Sequence, residues 1–340
     1  MVKRVLAGLL VLALAGCGSA AETARPVDGA WADVVAAANR EGAVTLYSTQ
    51  SQPILAELER AFESAYPAID LSVVRGVDAD LLSRIDAEGR TGRGSGDVAV
   101  ITDVSWMRAA EGTDRAVPVI GPNFDAAEYR AAESVVDGKF FLEGAVVLGF
   151  GWNTAAHPRG IATATDLLDP ALRGKVGIVT PATSPTYIDY YDHLEEHYGG
   201  RDFLRQLAAN EPRIYPSTQP LGQALTSGEI TAALMSNPML PERAAGAPVA
   251  WTEGPHVWGA RWYGLALGSA PHPNAAQVLA DFMVSRAGQE VTSPGFGAAL
   301  PDIAGAIAVA QDVPDQNLEV TTGDGAERYR TGWDRIFYNR

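Results

Sequence analysis

The feature that most limits what this chain can fold into is its alternation of short apolar runs with amphipathic stretches. Residues 43–47 read as a buried strand, and Ile69, Leu71 and Val73 alternate as a second. Residues 97–101 make a third, closed by Thr102 and Asp103. Between the first two, Pro53 opens a stretch that places Ile54, Leu55, Leu58, Phe62 and Ala65 on one side of a helix, and Pro67 stops it. Residues 78–88 read as another helix. Before the first strand, residues 30–40 predict a helix with Asp28 near its start and Gly42 past its end. Strand–helix–strand repetition of this kind is the pattern of a mostly parallel sheet covered by helices, an α/β fold. It resumes with strands at 146–152 and 176–179, helices near 186–197 and 203–209, and a helix opened by Ser217. A strand at 230–235 and an amphipathic helix over 274–285 follow.

The N-terminus is a separate unit. Lys3 and Arg4 precede an apolar run over 5–14, too short for the ~20 residues of a spanning helix and suited to a secretory signal. The run ends Leu14-Ala15-Gly16-Cys17, which resembles the lipobox of bacterial lipoproteins. That resemblance implies a signal peptide over 1–16, lipid attachment at Cys17 and an extracytoplasmic, membrane-tethered protein. Residues 17–27 then read as a flexible tether. Cys17 is the only cysteine, so disulfides, thiolate metal sites and cysteine nucleophiles are excluded. The net charge of −15, with no basic run, argues against a nucleic-acid partner. At 340 residues the chain is long for one core and natural for two domains.

Several motifs, in order, resemble type 2 solute-binding proteins of ABC importers. They are Glu41-Gly42-Ala43-Val44-Thr45-Leu46-Tyr47-Ser48, Ala61-Phe62-Glu63-Ser64-Ala65-Tyr66-Pro67, Trp152-Asn153-Thr154 and Asp166-Leu167-Leu168-Asp169-Pro170. Ser227-Gly228-Glu229-Ile230, Pro271-His272-Pro273-Asn274 and Ser285-Arg286-Ala287-Gly288 complete the set. The nearest branch is the one holding ferric-iron, thiamine, polyamine and phosphonate binders. The resemblance implies two lobes, each a mixed, mostly parallel sheet flanked by helices, with the ligand in the cleft between them. Lobe 1 is expected over 28–143 plus 264–305, and lobe 2 over 144–263 plus 306–340. Crossovers are expected near 143–149 and 251–263. It further implies a monomer that closes around a small molecule and delivers it to a membrane permease, with no cofactor. The chain lacks Gly-x-Ser-x-Gly and a phosphate-binding Gly-rich loop followed by Lys, so the reading is a binder and not an enzyme. A ligand-sensing lipoprotein that docks a receptor is the alternative of another class.

In open α/β sheets the ligand sits beyond the carboxyl ends of the strands. The segments there are rich in hydroxyls and amides: Thr49 and Gln50, Thr102, Ser184 and Thr186, Ser217-Thr218-Gln219, and Ser236-Asn237. Most lead into helix N-termini, which favour carboxylate or phosphonate. Each hydroxyl taken alone is also an ordinary helix cap. Thr49, Gln50, Thr102, Ser184, Thr186 and Asn237 are the expected ligand contacts, with Trp152 and Tyr187 as packing aromatics. Trp106, Trp251, Trp258, Trp262 and Tyr263 also fall near the cleft. They suit a cationic amine, with Asp103 or Glu253 as counter-charge, so a zwitterion such as an aminophosphonate fits both features. Ferric binders of the family use a Tyr pair after the strand equivalent to 230–235. Here Pro238 and Met239 stand there, and Tyr190-Tyr191 lies on a helix whose adjacent residues point ~100° apart. Ferric iron is therefore the alternative ligand. His193 and His197 are four apart, without the zinc-protease Glu after the first, and read as an exposed helix face.

Overall fold

The computed structural model describes residues 23–338. The apolar leader and Cys17 lie outside the described residues. The described end of the 17–27 segment is docked: Ala24 N donates to Gly268 O and Val27 N to Asn274 Oδ1, each at 2.9 Å. Among the described residues no helix is long and apolar enough to cross a membrane.

The chain forms two α/β lobes on one curled, mixed sheet. In the first lobe, the strand Ala43–Ser48 runs parallel to Asp70–Arg75 on one side and Val98–Ile101 on the other. Helices Gln52–Ala65 and Asp78–Thr91 make the connections. Pro53 lies in the first turn of the former, where its missing N–H has no intrahelical role. In the second lobe, Val176–Val179 runs parallel to Arg213–Tyr215 and to Ala232–Ser236. Helices Pro185–Tyr198, Arg201–Ala209 and Thr218–Ser227 belong to these crossovers.

Two long antiparallel strands, Phe140–Asn153 and Trp258–Leu267, carry the sheet from one lobe into the other. They pair from Trp258↔Leu148 to Leu265↔Phe140. Trp258–Leu267 continues onto Val98–Ile101 in the first lobe, and Phe140–Asn153 onto Ala232–Ser236 in the second. This antiparallel pair is a departure from the mostly parallel pattern of the sequence. Residues 251–263, read there as a crossover segment, contain the end of one strand and much of a second. Phe140–Asn153 is buried almost throughout, because covered faces leave no solvent side to demand alternation. Its register shifts between Gly149 and Phe150. A Cβ at Gly149 would stand 2.1 Å from Thr252 O, so only glycine allows that approach.

Outer helices complete each lobe. Pro273–Met283 packs on Trp31–Glu41, and Arg286–Thr292 on Gln52–Ala65. Gly323–Phe337, absent from the sequence reading, packs on Arg201–Ala209 and Pro185–Tyr198 with Trp333 fully buried. Tyr190 and Tyr191 are core residues of the second lobe. Tyr191 Oη donates to Val179 O at 2.7 Å, and Tyr190 meets Trp258 edge-on at 5.0 Å. On the helix face bearing His193 and His197, His197 is exposed as the sequence suggested, its ring stacked on His256 at 4.2 Å, while His193 is half-buried.

Candidate ligand-binding site

A cavity of about 240 Å³ lies between the lobes, against the crossover strands. That is far more than the ~10–15 Å³ that admits one water. Its walls come from the carboxyl ends of strands in both lobes, as the open-sheet rule requires. The first lobe contributes Thr49, Ser51, Arg75, Asp78 and Thr102. The second contributes Ser184, Thr186, Tyr187, Thr218, Gln219 and Asn237. Val146, Leu148 and Trp262 come from the crossover strands.

One group of wall residues is committed to joining the lobes. Asp78, 2% exposed, accepts from Thr102 N at 3.0 Å, Thr102 Oγ1 at 2.6 Å and Ser184 Oγ at 2.7 Å. The carboxylate sits in the first turn of Asp78–Thr91, where the helix dipole favours negative charge. Thr186 Oγ1 donates to Thr102 Oγ1 at 2.9 Å. Gln316, from the C-terminal segment, donates to Thr102 O at 2.7 Å and to Thr186 Oγ1 at 2.8 Å.

A second group is uncommitted. Arg75 ends the strand Asp70–Arg75, and its Nε donates to Gln50 O at 3.4 Å. Neither Nη atom has a partner among the described residues, and no carboxylate there pairs with it. Burial lowers the guanidinium's proton affinity, and nearby Tyr187 works the other way. Burial likewise pushes the Tyr187 hydroxyl up to about 12, so it is a neutral donor at physiological pH. Thr49 Oγ1, Gln219 Oε1 and Asn237 Oδ1 are buried atoms without hydrogen-bond partners, and all three residues line the cavity. Leaving such atoms unmatched is costly, and a ligand supplies the match.

The segment that presents Asn237 is held in a strained backbone. Met235 (φ 66°) and Met239 (φ 50°) flank it in the left-handed region that long side chains rarely occupy.

Of the residues expected from sequence, Thr49, Thr102, Ser184, Thr186, Asn237 and Tyr187 line the cavity. Within that group, Thr102, Ser184 and Thr186 spend their hydroxyls on the lobe–lobe contact. Gln50 and Trp152 are not among the lining residues. The Gln50 side chain turns inward and donates to Glu143 Oε2 at 2.9 Å, because that buried carboxylate needs a donor. Trp152 lies beyond the register shift in its strand and lines an outer groove with His157 and Arg159. Asp103 caps its own helix through Trp106 N at 2.9 Å, and Trp258 Nε1 donates to Asp189 at 2.8 Å. Neither lines the cavity. Arg75 and Phe296 were missed by sequence reasoning. Arg75 stands at the carboxyl end of the second parallel strand, the same signal that marks Thr49 and Thr102.

Two α/β lobes on one continuous sheet, with a cavity walled by both, define a protein that encloses a small molecule. The family model described as bacterial extracellular solute-binding protein matches residues 44–295, and the chain belongs to that family. No curated protein sequence matches the chain. Among solved structures it is similar to the substrate-binding protein of an ABC transporter from Agrobacterium tumefaciens, with TM-score 0.73 and 14% identity, covering 88% of this chain and 96% of that one. The periplasmic binding protein AfuA from Actinobacillus pleuropneumoniae, with fructose-6-phosphate bound, gives TM-score 0.70 and 19% identity over 88% and 99% of the two chains. Iron-bound HitA from Pseudomonas aeruginosa gives 0.64 and 18% over 86% and 99%. At these identities the likeness is one of fold.

Proposed function

We propose that this protein is the solute-binding component of an ABC importer, capturing a small organic anion or zwitterion between its lobes and handing it to a membrane permease. It acts outside the cytoplasm as a monomer, tethered through lipid on Cys17, and performs no chemistry on its ligand. Lobe 1 comprises 28–143 plus 264–305, and lobe 2 comprises 144–263 plus 306–340. The packing of Pro273–Met283 on Trp31–Glu41, and of Gly323–Phe337 on Arg201–Ala209, supports that division.

The observation that carries the reading is the set of groups left in one cavity: the buried, unpartnered Thr49 Oγ1, Gln219 Oε1 and Asn237 Oδ1, with Arg75, whose one hydrogen bond is made by Nε. A carboxylate or phosphonate accepts from Arg75 and Thr49, and a further polar group matches the two amides.

Ferric iron is the second reading, since two similar structures are iron-bound and three more are ferric-binding proteins. A hard trivalent ion wants several anionic oxygens. Tyr187 and Glu242 are the anionic-oxygen donors left in the lining, since Asp78 is spent on three donors, and two are few for such an ion. Tyr47 is engaged elsewhere, with Glu88 at 2.9 Å and Ser95 at 2.8 Å. The donor set favours the organic ligand.

Mass spectrometry of ligand released from natively purified protein tests the reading. An organic anion or zwitterion in equal amount to protein supports it, and iron in equal amount overturns it. Uptake assays separate transport from receptor signalling: deletion of the gene abolishes uptake of that ligand if the protein feeds a permease.

A further inference from the structure

The cavity lining holds two unlike groups of residues. One is polar: Arg75, Thr49, Gln219 and Asn237. The other is apolar: Val146, Leu148, Trp262, Met239, Leu240 and Phe296, the first three from the crossover strands. Trp262 and Phe296 are 5% and 9% exposed, and their rings meet at 5.1 Å, tilted by 52°. The two rings pack on each other as one apolar patch of the lining. Gly295 holds the next part of this wall close, since a Cβ there would stand 3.0 Å from Leu240 Cδ1.

From this we infer that the ligand is an organic monoanion with an apolar body, its anionic oxygens on Arg75 and Thr49, a hydroxyl of the head group donating to Gln219 Oε1 or Asn237 Oδ1, and its carbon skeleton against Trp262 and Phe296. The inference rests on the solute-binding reading and narrows its ligand class. A bare oxyanion or a sugar-like body would satisfy Arg75 and leave polar atoms facing hydrocarbon without partners, which is unfavourable. Charge limits the tail. Glu242 is the other ionisable group in the wall beside Arg75, Asp78 and Tyr187, and it sits two residues from Leu240 on the short helix Leu240–Ala244. A second anionic group near that helix would meet a like charge. The single cation of the lining therefore matches one anionic head.

The test is calorimetric titration of ligand-stripped protein with two homologous series. One runs from inorganic phosphate through methyl-, butyl- and phenylphosphonate. The other runs from acetate through hexanoate and phenylacetate, with adipate as a dianionic control. Within whichever head group binds, affinity should rise roughly fourfold per added methylene until the cavity is full. Hexanoate should exceed adipate if carboxylate is the head group. Arg75→Met should weaken every binding member at least tenfold, and Arg75→Lys should recover part of that loss. Phe296→Leu and Trp262→Leu should lower affinity for the phenyl members and leave the shortest members unchanged. Two variants keep the apolar face testable if one fails to fold. A series without chain-length dependence, or phosphate or ferric ion binding more tightly than any organic member, overturns the inference. If no member binds and natively purified protein releases a ligand lacking an anionic group, the inference fails and solute capture stands. If no member binds and no ligand is released, both fall.

Discussion

Ser184 Oγ donates to Asp78 Oδ2 at 2.7 Å, joining residues 106 positions apart in the chain. Each partner is placed by a helix end: Ser184 is the N-cap of Pro185–Tyr198, and Asp78 opens Asp78–Thr91. The bond ties one lobe to the other beside the ligand cavity. Ser184→Ala removes a hydrogen bond to a buried carboxylate, an interaction that contributes about 1.5–3 kcal/mol. The closed arrangement should lose roughly that much relative to an open one. Small-angle scattering without ligand should report a larger radius of gyration for the variant. An unchanged radius and unchanged ligand affinity together would remove this bond from the closure mechanism.

Thr49 Oγ1 is buried and unpartnered, so replacing it with a methyl group costs the empty protein nothing. Thr49→Val should melt at or slightly above the wild-type temperature without ligand. With ligand, it should bind about fivefold more weakly, the worth of about one hydrogen bond. A lowered melting temperature in the empty state would mean the hydroxyl has a structural role.

Glu143 sits inside the crossover strand, and burial pushes its carboxyl up to about 7 from an ordinary 4.5. The native state therefore keeps a proton that the unfolded chain has already lost between those values. The resulting stability is present at low pH and lost as pH rises through that window. Glu143→Gln is neutral throughout and still accepts from Gln50. Chemical denaturation at several pH values should show the variant gaining on the wild type as pH goes from 5 to 8, by on the order of 3 kcal/mol at the top. A difference that stays constant across this range would sink the prediction.

Two glycines of similar appearance should respond in opposite directions. Gly149→Ala places a methyl 2.1 Å from Thr252 O, a clash with backbone that cannot rotate away. It should cost about 2 kcal/mol or more. Gly89, in the helix Asp78–Thr91, has nothing within 4 Å of its would-be Cβ. Gly89→Ala should stabilise by about 0.5–1 kcal/mol through helix propensity. Thermal melts of both variants, compared with wild type, check the pair.

Much of the fold was legible from local pattern. Pro53, Pro67 and the glycine after the first helix mark real element ends, because each acts on its own backbone. The strand Val176–Val179 coincides with its expected span. The pairing of Trp258–Leu267 with Phe140–Asn153 was not legible, since antiparallel partners more than 100 positions apart leave no local periodicity. The same limit applies at the site. The rule that ligands meet strand ends gathered Thr49, Thr102, Ser184, Thr186 and Asn237 into one cavity. It could not separate Gln50, drawn inward by Glu143, from Thr49 beside it.

The sequence by itself determined the α/β class, the alternation of strands and helices from residue 31 to residue 101, and the polar loops that open helices, because these follow from backbone preference and nearest-neighbour periodicity. Tertiary structure alone decided which polar groups remain for a ligand. Thr102 and Thr186 look identical to Thr49 as residues. They differ because Asp78 and Thr186, 24 and 84 positions away, occupy the Thr102 hydroxyl, and nothing among the described residues occupies that of Thr49. A hydroxyl's availability is a property of what the rest of the chain brings to it.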